Sequence, residues 1–296
     1  MSRLFGLFML CAALGCSADA NNNTLVPSTD VGFDQTTAPE TGNDVDVADV
    51  STVPDVAPFM RSPIFDVGEY NVGYRAFEYT YDAIGQPNRT IRIAVWYPTR
   101  DEEGNDARYA ALINRPEAID GASVAADGPY PLLVFSHGNG GMAEQSYYMT
   151  EFFATHGVIV VSADHTGNTF RDVQENGVSF ASALFRPQDV SAVNDAIQTL
   201  PDDDMLAGQT TDQVAMSGHS FGGYTTLAVL GAEFNVDGLV SLCAGGQVAQ
   251  ELCEAFTGEQ QQAFRDGFLD PRVKIGLPQT PAGALIFAQG IRSITA

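Results

Sequence analysis

Lysine is nearly absent from this 296-residue chain, since Lys274 is the only one and the other 13 basic residues are arginines. Acidic residues number 37 against 14 basic ones, which gives a formal net charge of −23. No basic stripe is present to displace the counterions of nucleic-acid phosphates, so the composition excludes nucleic acid as a partner. Beyond the extreme N-terminus the chain also lacks an apolar run of about 18 residues, which excludes a membrane-spanning helix.

The first residues are typical of a secretory signal. Arg3 supplies the positive charge, and residues 4–14 form an apolar segment too short to span a bilayer. It ends on Ala13-Leu14-Gly15-Cys16, which resembles a bacterial lipobox, in which the cysteine is acylated and becomes the mature N-terminus. We therefore predict a lipoprotein signal peptide over residues 1–15 and an envelope protein anchored to the membrane through lipidated Cys16. Ordinary cleaved secretion and a buried cytosolic segment are the alternatives.

Residues 16–62 differ in composition from the rest of the chain. Asn, Thr, Asp, Val and Pro dominate, and eight acidic residues accompany one basic residue, Arg61. Such a segment cannot bury enough apolar surface to offset the entropy of ordering, so we predict a disordered acidic tether, with a binding tail as the alternative. The remaining residues, 63–296, have the length of one α/β domain.

Cys243 and Cys253 are the two cysteines that remain beyond the signal and its lipobox. They stand ten residues apart in a chain bound for an oxidising compartment, which favours a disulfide bond between them. The alternative is that both are small, buried apolar side chains.

The folded part begins with alternating strands and continues with buried ones. An alternating pair around a turn predicts two antiparallel strands at a sheet edge. The continuous apolar runs that follow are typical of strands buried on both faces, and helices between them imply a mostly parallel sheet covered by helices on both sides. The predicted strands are residues 73–81, 89–98, 130–136, 158–163, 213–217 and 272–277. The predicted helices are residues 142–156, 187–200 and 222–231, with a mainly helical excursion over 236–262.

The strongest catalytic signal is Gly218-His219-Ser220-Phe221-Gly222, a G-x-S-x-G pattern between a predicted buried strand and a predicted helix. A nucleophilic serine at such a turn needs strained backbone angles and small neighbours, which Gly218 and Gly222 provide. We therefore predict Ser220 as a nucleophile. The alternative is a structural glycine-rich turn.

A second glycine-rich segment, residues 136–141, follows the strand at 130–136. Backbone N–H groups in such a loop can stabilise a developing oxyanion. We predict that the N–H groups of Asn139 and Phe221 are the two donors. A flexible turn with a satisfied His137 is the alternative.

These motifs resemble the α/β-hydrolase fold, and more narrowly bacterial relatives of secreted platelet-activating-factor acetylhydrolases and dienelactone-hydrolase-like esterases. The resemblance also rests on residues 163–168 (Ala-Asp-His-Thr-Gly-Asn), 185–190 (Phe-Arg-Pro-Gln-Asp-Val) and 270–274 (Asp-Pro-Arg-Val-Lys). It implies hydrolysis of small, short-acyl esters, including phospholipid esters, through an acyl-enzyme, with no metal and no organic cofactor. In this family a serine attacks, a histidine takes its proton and an acid orients the histidine. A cutinase-like esterase shares the same turn and is an alternative.

The histidines depart from the family pattern. The fold orders its triad as serine, acid, histidine, yet none of the four histidines follows Ser220. One interpretation is a C-terminally incomplete chain without the last strands, the triad acid and the histidine. Another is that His165, beside Asp164 at the end of a predicted strand, substitutes as the base. A rival from another class is a non-catalytic envelope lipoprotein that retains the hydrolase scaffold.

Overall fold

The structure, a computed structural model, describes residues 66–248, 250–256 and 258–287. The predicted signal peptide (1–15), the lipidation site Cys16 and the rest of the predicted tether (to residue 62) therefore lie outside the described residues. Within the described ranges, no helix has both the length and the apolar character needed to cross a membrane.

A single eight-stranded sheet runs through the described residues. Its strands are β1 (Asn71–Ala83), β2 (Gln86–Thr99), β3 (Asn105–Tyr109), β4 (Ile113–Asp120), β5 (Tyr130–Ser136), β6 (Ile159–Asp164), β7 (Thr210–His219) and β8 (Val273–Gln279). Their order across the sheet is β3-β4-β1-β2-β6-β5-β7-β8. The pairs β1/β4, β6/β5, β5/β7 and β7/β8 are parallel, and the other three pairs are antiparallel. The carboxyl ends of β5, β6, β7 and β8 consequently meet at one edge of the sheet.

Helices cover both faces of this sheet. The described helices are α1 (Tyr147–Thr155), α2 (Phe170–Asn176), α3 (Ala181–Gln198), α4 (Phe221–Val229), α5 (Val236–Ala244), α6 (Gln250–Ala255), α7 (Glu259–Asp266) and α8 (Ala284–Phe287). Leu132 and Val134 of β5 share a core cluster with Val193 of α3. Leu133, whose side chain points to the other face, shares a second cluster with Ala154 of α1. The architecture predicted from the sequence, a mostly parallel α/β sheet with helices on both faces and an antiparallel N-terminal strand pair, is confirmed.

The predicted strand pair is present as β1 and β2, but it does not lie at the sheet edge. The hairpin of β3 and β4 extends the sheet beyond β1, and the sequence analysis did not predict this hairpin. Its strands are largely polar, with only Ala107, Tyr109 and Ala118 buried. The periodic apolar signal that identifies the other strands is therefore weak here.

Helix α3 begins at Ala181, six residues before the predicted start at 187, and contains Pro187 in its interior. Proline lacks the N–H that would donate to the carbonyl of Ala183, four residues earlier. The buried phenol of Tyr224 donates to this carbonyl instead, at 2.9 Å. A contact from a distant helix thus replaces the missing bond, and no local pattern could predict it.

The other boundaries agree more closely with the predictions. Helix α1 begins at Tyr147 instead of residue 142, because residues 142–146 form turns. The helical excursion predicted over 236–262 is confirmed as α5, α6 and the first half of α7, and the strand expected at 272–277 is β8. A disulfide joins Cys243 of α5 to Cys253 of α6, with the Cα atoms 5.6 Å apart.

Candidate active site

The turn between β7 and α4 consists of Ser220, whose backbone angles are φ 55° and ψ −110°. A non-glycine residue in this left-handed region costs about 1–3 kcal/mol and persists only where its surroundings fix it. Here the end of β8 and the residues that follow it hold Ser220 in this conformation. The N–H of Ser220 donates to the carbonyl of Gln279 (2.9 Å), and the carbonyl of Ser220 accepts from the N–H of Ala282 (3.0 Å). The serine therefore stands at the carboxyl edge of the sheet, where it remains partly exposed.

Residues 218–222, here called the nucleophile turn, require glycine at both ends because of packing. A Cβ atom on Gly222 would lie 1.8 Å from the carbonyl oxygen of Ser136, and one on Gly218 would lie 2.3 Å from the carbonyl oxygen of Gly222. The nucleophile turn thus packs, backbone against backbone, on residues 136–141, here called the glycine loop.

Most amides of the glycine loop are already bonded. The N–H of Gly138 donates to Oε1 of Gln145 (2.8 Å), that of Gly140 to the carbonyl of Asn168 (3.2 Å) and that of Gly141 to the carbonyl of Gly138 (3.1 Å). The N–H of Asn139 has no acceptor among the described residues, and the same is true of Phe221 at the start of α4. These are the two amides predicted to bind an oxyanion, and neither donates to another protein group in the described part of the chain.

Side chains tie the glycine loop to its neighbours. Gln145, which accepts from Gly138, places its Nε2 atom 3.4 Å from Nδ1 of His219 in the nucleophile turn. The side chain of Asn139 accepts a hydrogen bond from Nδ2 of Asn168 at 2.8 Å. The structure therefore places Asn139 and Phe221 on two adjoining segments.

His165 occupies a different position from the one expected of a base for Ser220. Its Nε2 atom lies 2.8 Å from the hydroxyl of Ser136, and its Nδ1 atom lies 2.8 Å from Oδ2 of Asp189. All three side chains are buried. Since both ring nitrogens are engaged, the sequence-based hypothesis that His165 substitutes as the base for Ser220 does not fit this geometry.

The electrostatics of this buried cluster keep His165 neutral. Burial, followed by the nearby Arg186 guanidinium, lowers the pKa of His165 to about 4. Asp189 is charged, because hydrogen bonds from Arg89 and His165 outweigh its burial and lower its pKa. Arg89 contacts both carboxylate oxygens of Asp189, at 2.7 and 2.9 Å, and Tyr81 donates to one of them. The cluster joins β1, β2, β5 and the end of β6 to α3.

Within this cluster, a role had been predicted only for His165, and none for Arg89 or Asp189. One signal for the cluster was available, namely that α3 carries Arg186 and Asp189 among the apolar positions of a helix that packs on the core. Buried charged residues are rarely left without partners. The partners, however, come from other strands and could not be identified from local sequence.

The remaining histidines do not complete a triad with Ser220. His137 is buried, accepts from the N–H of His165 at Nε2 (3.1 Å) and bonds the carbonyl of Gly138 through Nδ1 (2.7 Å). His156 ends α1, at the opposite edge of the sheet, and His219 is exposed beside Ser220. In the described ranges no histidine is hydrogen-bonded to Ser220, and no cluster of three or more His, Cys, Asp or Glu side chains could hold a metal ion.

Comparisons with known proteins give a distant structural likeness. No protein-family model matches the sequence, and no curated protein matches it. Among solved structures the chain is similar to a ferulic acid esterase from Streptomyces cinnamoneus, with 21% sequence identity and a TM-score of 0.44. The match covers 55% of this chain and 56% of the esterase, so the chain spans little more than half of that protein's length.

Proposed function

We propose that this protein is a serine ester hydrolase in which Ser220 forms an acyl-enzyme. One observation carries the proposal: a serine with a left-handed φ of 55° stands between a buried strand and a helix, against a loop with a free amide. Such backbone strain lowers the stability of the fold, so stability alone does not explain why it is kept at this serine. Strain at a partly exposed nucleophile is typical of a turn with a catalytic function.

The proposed reaction has two steps. The Oγ atom of Ser220 attacks the ester carbonyl carbon, and the resulting oxyanion accepts hydrogen bonds from the N–H groups of Asn139 and Phe221. The serine proton passes through a base to the leaving alkoxide, and the alcohol departs. Water then hydrolyses the acyl-enzyme and releases the carboxylic acid, which restores the serine hydroxyl.

The base is the part of this proposal that the described residues do not supply. His137 and His165 are unsuitable, because each uses both ring nitrogens in buried hydrogen bonds. His219 is exposed and next to Ser220, but its Nδ1 faces Gln145.

The proposed substrates are short-acyl esters, with phospholipid esters of the platelet-activating-factor type as the narrower class. The sequence resemblance supports this class, and a lipid anchor at Cys16 would place the enzyme at an envelope membrane. Dienelactone-hydrolase-like and cutinase-like esterases remain alternatives within the same chemistry.

A second candidate function is a non-catalytic envelope lipoprotein that binds ligands on a hydrolase scaffold. The engagement of His137 and His165 in buried hydrogen bonds away from Ser220 favours it.

Burst kinetics with p-nitrophenyl acetate separate the two candidates. We expect a stoichiometric burst from the wild-type chain, no burst from Ser220→Ala and, from Ser136→Ala, a slower burst of the same amplitude, because Ser136 supports the site but is not acylated. Ser136 is the matched control, because it also ends a central strand and has a histidine partner but is buried. A wild-type chain without a burst would favour the non-catalytic candidate, and a burst lost only in Ser136→Ala would overturn the assignment of Ser220.

A further inference from the structure

Arg186, on α3, is completely buried between the glycine loop and the nucleophile turn. Its Nε atom donates to Oγ1 of Thr225 (3.3 Å), and its Nη1 atom donates to Oδ1 of Asn168 (2.6 Å). Its Nη2 atom donates to the hydroxyl oxygen of Ser136 (3.3 Å) and to the carbonyl oxygen of His137. The Cζ atom of the guanidinium lies over the ring of Phe221, 4.7 Å from its centroid. One side chain thus contacts both segments that carry the proposed oxyanion donors.

The hydrogen-bond acceptors of Arg186 in the described structure are all neutral oxygens. A buried cation without a directly bonded carboxylate is costly compared with an apolar side chain of similar size. The nearby carboxylate of Asp189 is held by Arg89 and His165 instead. An arginine at this position therefore does little to stabilise the fold. The N–H donors of its guanidinium have a fixed geometry, however, and can hold several segments of the chain in one arrangement.

We propose that Arg186 is a positioning residue that sets the relative placement of the N–H groups of Asn139 and Phe221. This inference rests on the proposed function, because the two amides matter only if an oxyanion forms between them. Toward Asn139, Arg186 acts through Asn168, whose Nδ2 donates to the Asn139 side chain at 2.8 Å. Toward Phe221, it acts directly, through the face of the ring.

The role requires the planar guanidinium. A lysine has a single ammonium at the end of a flexible chain and cannot hold Asn168, the His137 carbonyl and the Phe221 ring at once. Arg186→Lys therefore keeps the charge and removes the geometry. Arg75→Lys is the matched control, because Arg75 also makes a two-bond contact, with Asp204 at 2.8 and 2.9 Å, at the opposite end of the sheet.

The kinetic test compares an ester with its thionoester, in which sulfur replaces the carbonyl oxygen. Sulfur is larger and accepts hydrogen bonds weakly, so displaced donors should harm the ester more than the thionoester. We expect Arg186→Lys to lower kcat for the ester by about 100-fold, the range found on loss of an oxyanion donor, with little change in KM. Equal losses for both substrates, or a rise in KM alone, would overturn the positioning role.

Hydrogen exchange separates a failure of this inference from a failure of the proposed function. In Arg186→Lys we expect faster exchange in peptides covering both 136–141 and 219–224, and no change there in Arg75→Lys. If the wild-type chain shows no Ser220-dependent activity, the proposed function fails, but this exchange measurement still decides whether Arg186 holds the two segments. Unchanged exchange in a folded Arg186→Lys would overturn the inference.

If Arg186→Lys does not fold, Asn168→Ala replaces it in both experiments. This variant removes the link between Arg186 and Asn139 and leaves the contact with Phe221 in place. The inference predicts faster exchange in 136–141, unchanged exchange in 219–224 and a lower kcat for the ester. Unchanged exchange in 136–141 would contradict it.

Discussion

The imidazole of His165 lies 2.8 Å from the carboxylate of Asp189, and both side chains are buried. On its other side the ring contacts the hydroxyl of Ser136, so the chain contains a serine–histidine–aspartate series of hydrogen bonds. Ser136 is buried, whereas Ser220, which is partly exposed, has no histidine hydrogen-bonded to it in the described ranges. The buried series therefore belongs to the support of the site, and its protonation affects stability first.

Acidification should destabilise the fold through His165. Its pKa is about 4 in the folded chain, below the ordinary histidine value of about 6.5. Between these values the unfolded chain binds more protons than the folded one, so the free energy of unfolding falls as the pH falls from about 6.5 to about 4. Urea unfolding at successive pH values measures this slope.

The control for this prediction is a pair of variants. His165→Gln should reduce the slope, because the titrating group is removed. Gln198→Ala, at the exposed last residue of α3, removes no group that titrates in this range and should leave it unchanged. A slope that is identical in the wild type and in His165→Gln would contradict the prediction.

Alanine at Gly222 should prevent stable folding. Its Cβ atom would lie 1.8 Å from the Ser136 carbonyl oxygen, so the glycine loop and the nucleophile turn would have to separate. Gly177→Ala is the control, since its φ of 78° is unfavourable for alanine but no atom lies within 4 Å of the new Cβ. We expect this control to cost about 1–3 kcal/mol, the range for backbone angles that only glycine adopts readily, and to remain folded. Thermal unfolding of both variants checks the prediction, and similar midpoints would refute it.

Tyr224→Phe should destabilise the protein by about 1–3 kcal/mol, because the buried carbonyl of Ala183 would lose its donor. Pro187→Ala restores an N–H that can donate to the same carbonyl within α3. We therefore expect Tyr224→Phe to cost less in a Pro187→Ala background. A double-mutant cycle of urea unfolding free energies measures the difference. The same cost in both backgrounds would show that the two groups do not share this acceptor.

The central strands were predictable because their signal is local. Strand β5 coincides with the apolar run at 130–136, and β7 ends at the glycine-flanked serine. The hairpin of β3 and β4 was missed because a mostly polar pair at the sheet edge has little apolar periodicity. Helix α3 was predicted to start at Pro187, because proline is common in the first turn of a helix, and the true start at Ala181 was therefore not predicted. Only the hydroxyl of Tyr224, 37 residues further along the chain, explains the tolerance of Pro187 inside the helix.

The candidate site was predictable in the same local sense. Gly218, Ser220 and Gly222 stand together in sequence, and the turn they form follows from steric requirements within a few residues. The roles of His165 and Arg186 were not predictable, because their partners lie 18 to 50 residues away on other elements. Which buried polar groups meet is decided by the packing of α3 on the sheet.

The most direct test of the account is to label the protein with a fluorophosphonate and to locate the adduct by peptide mass spectrometry. We expect a single adduct on Ser220, which is absent from Ser220→Ala and retained in Ser136→Ala. An adduct on Ser136, or none on a folded wild-type chain, would contradict the claim that Ser220 is the nucleophile.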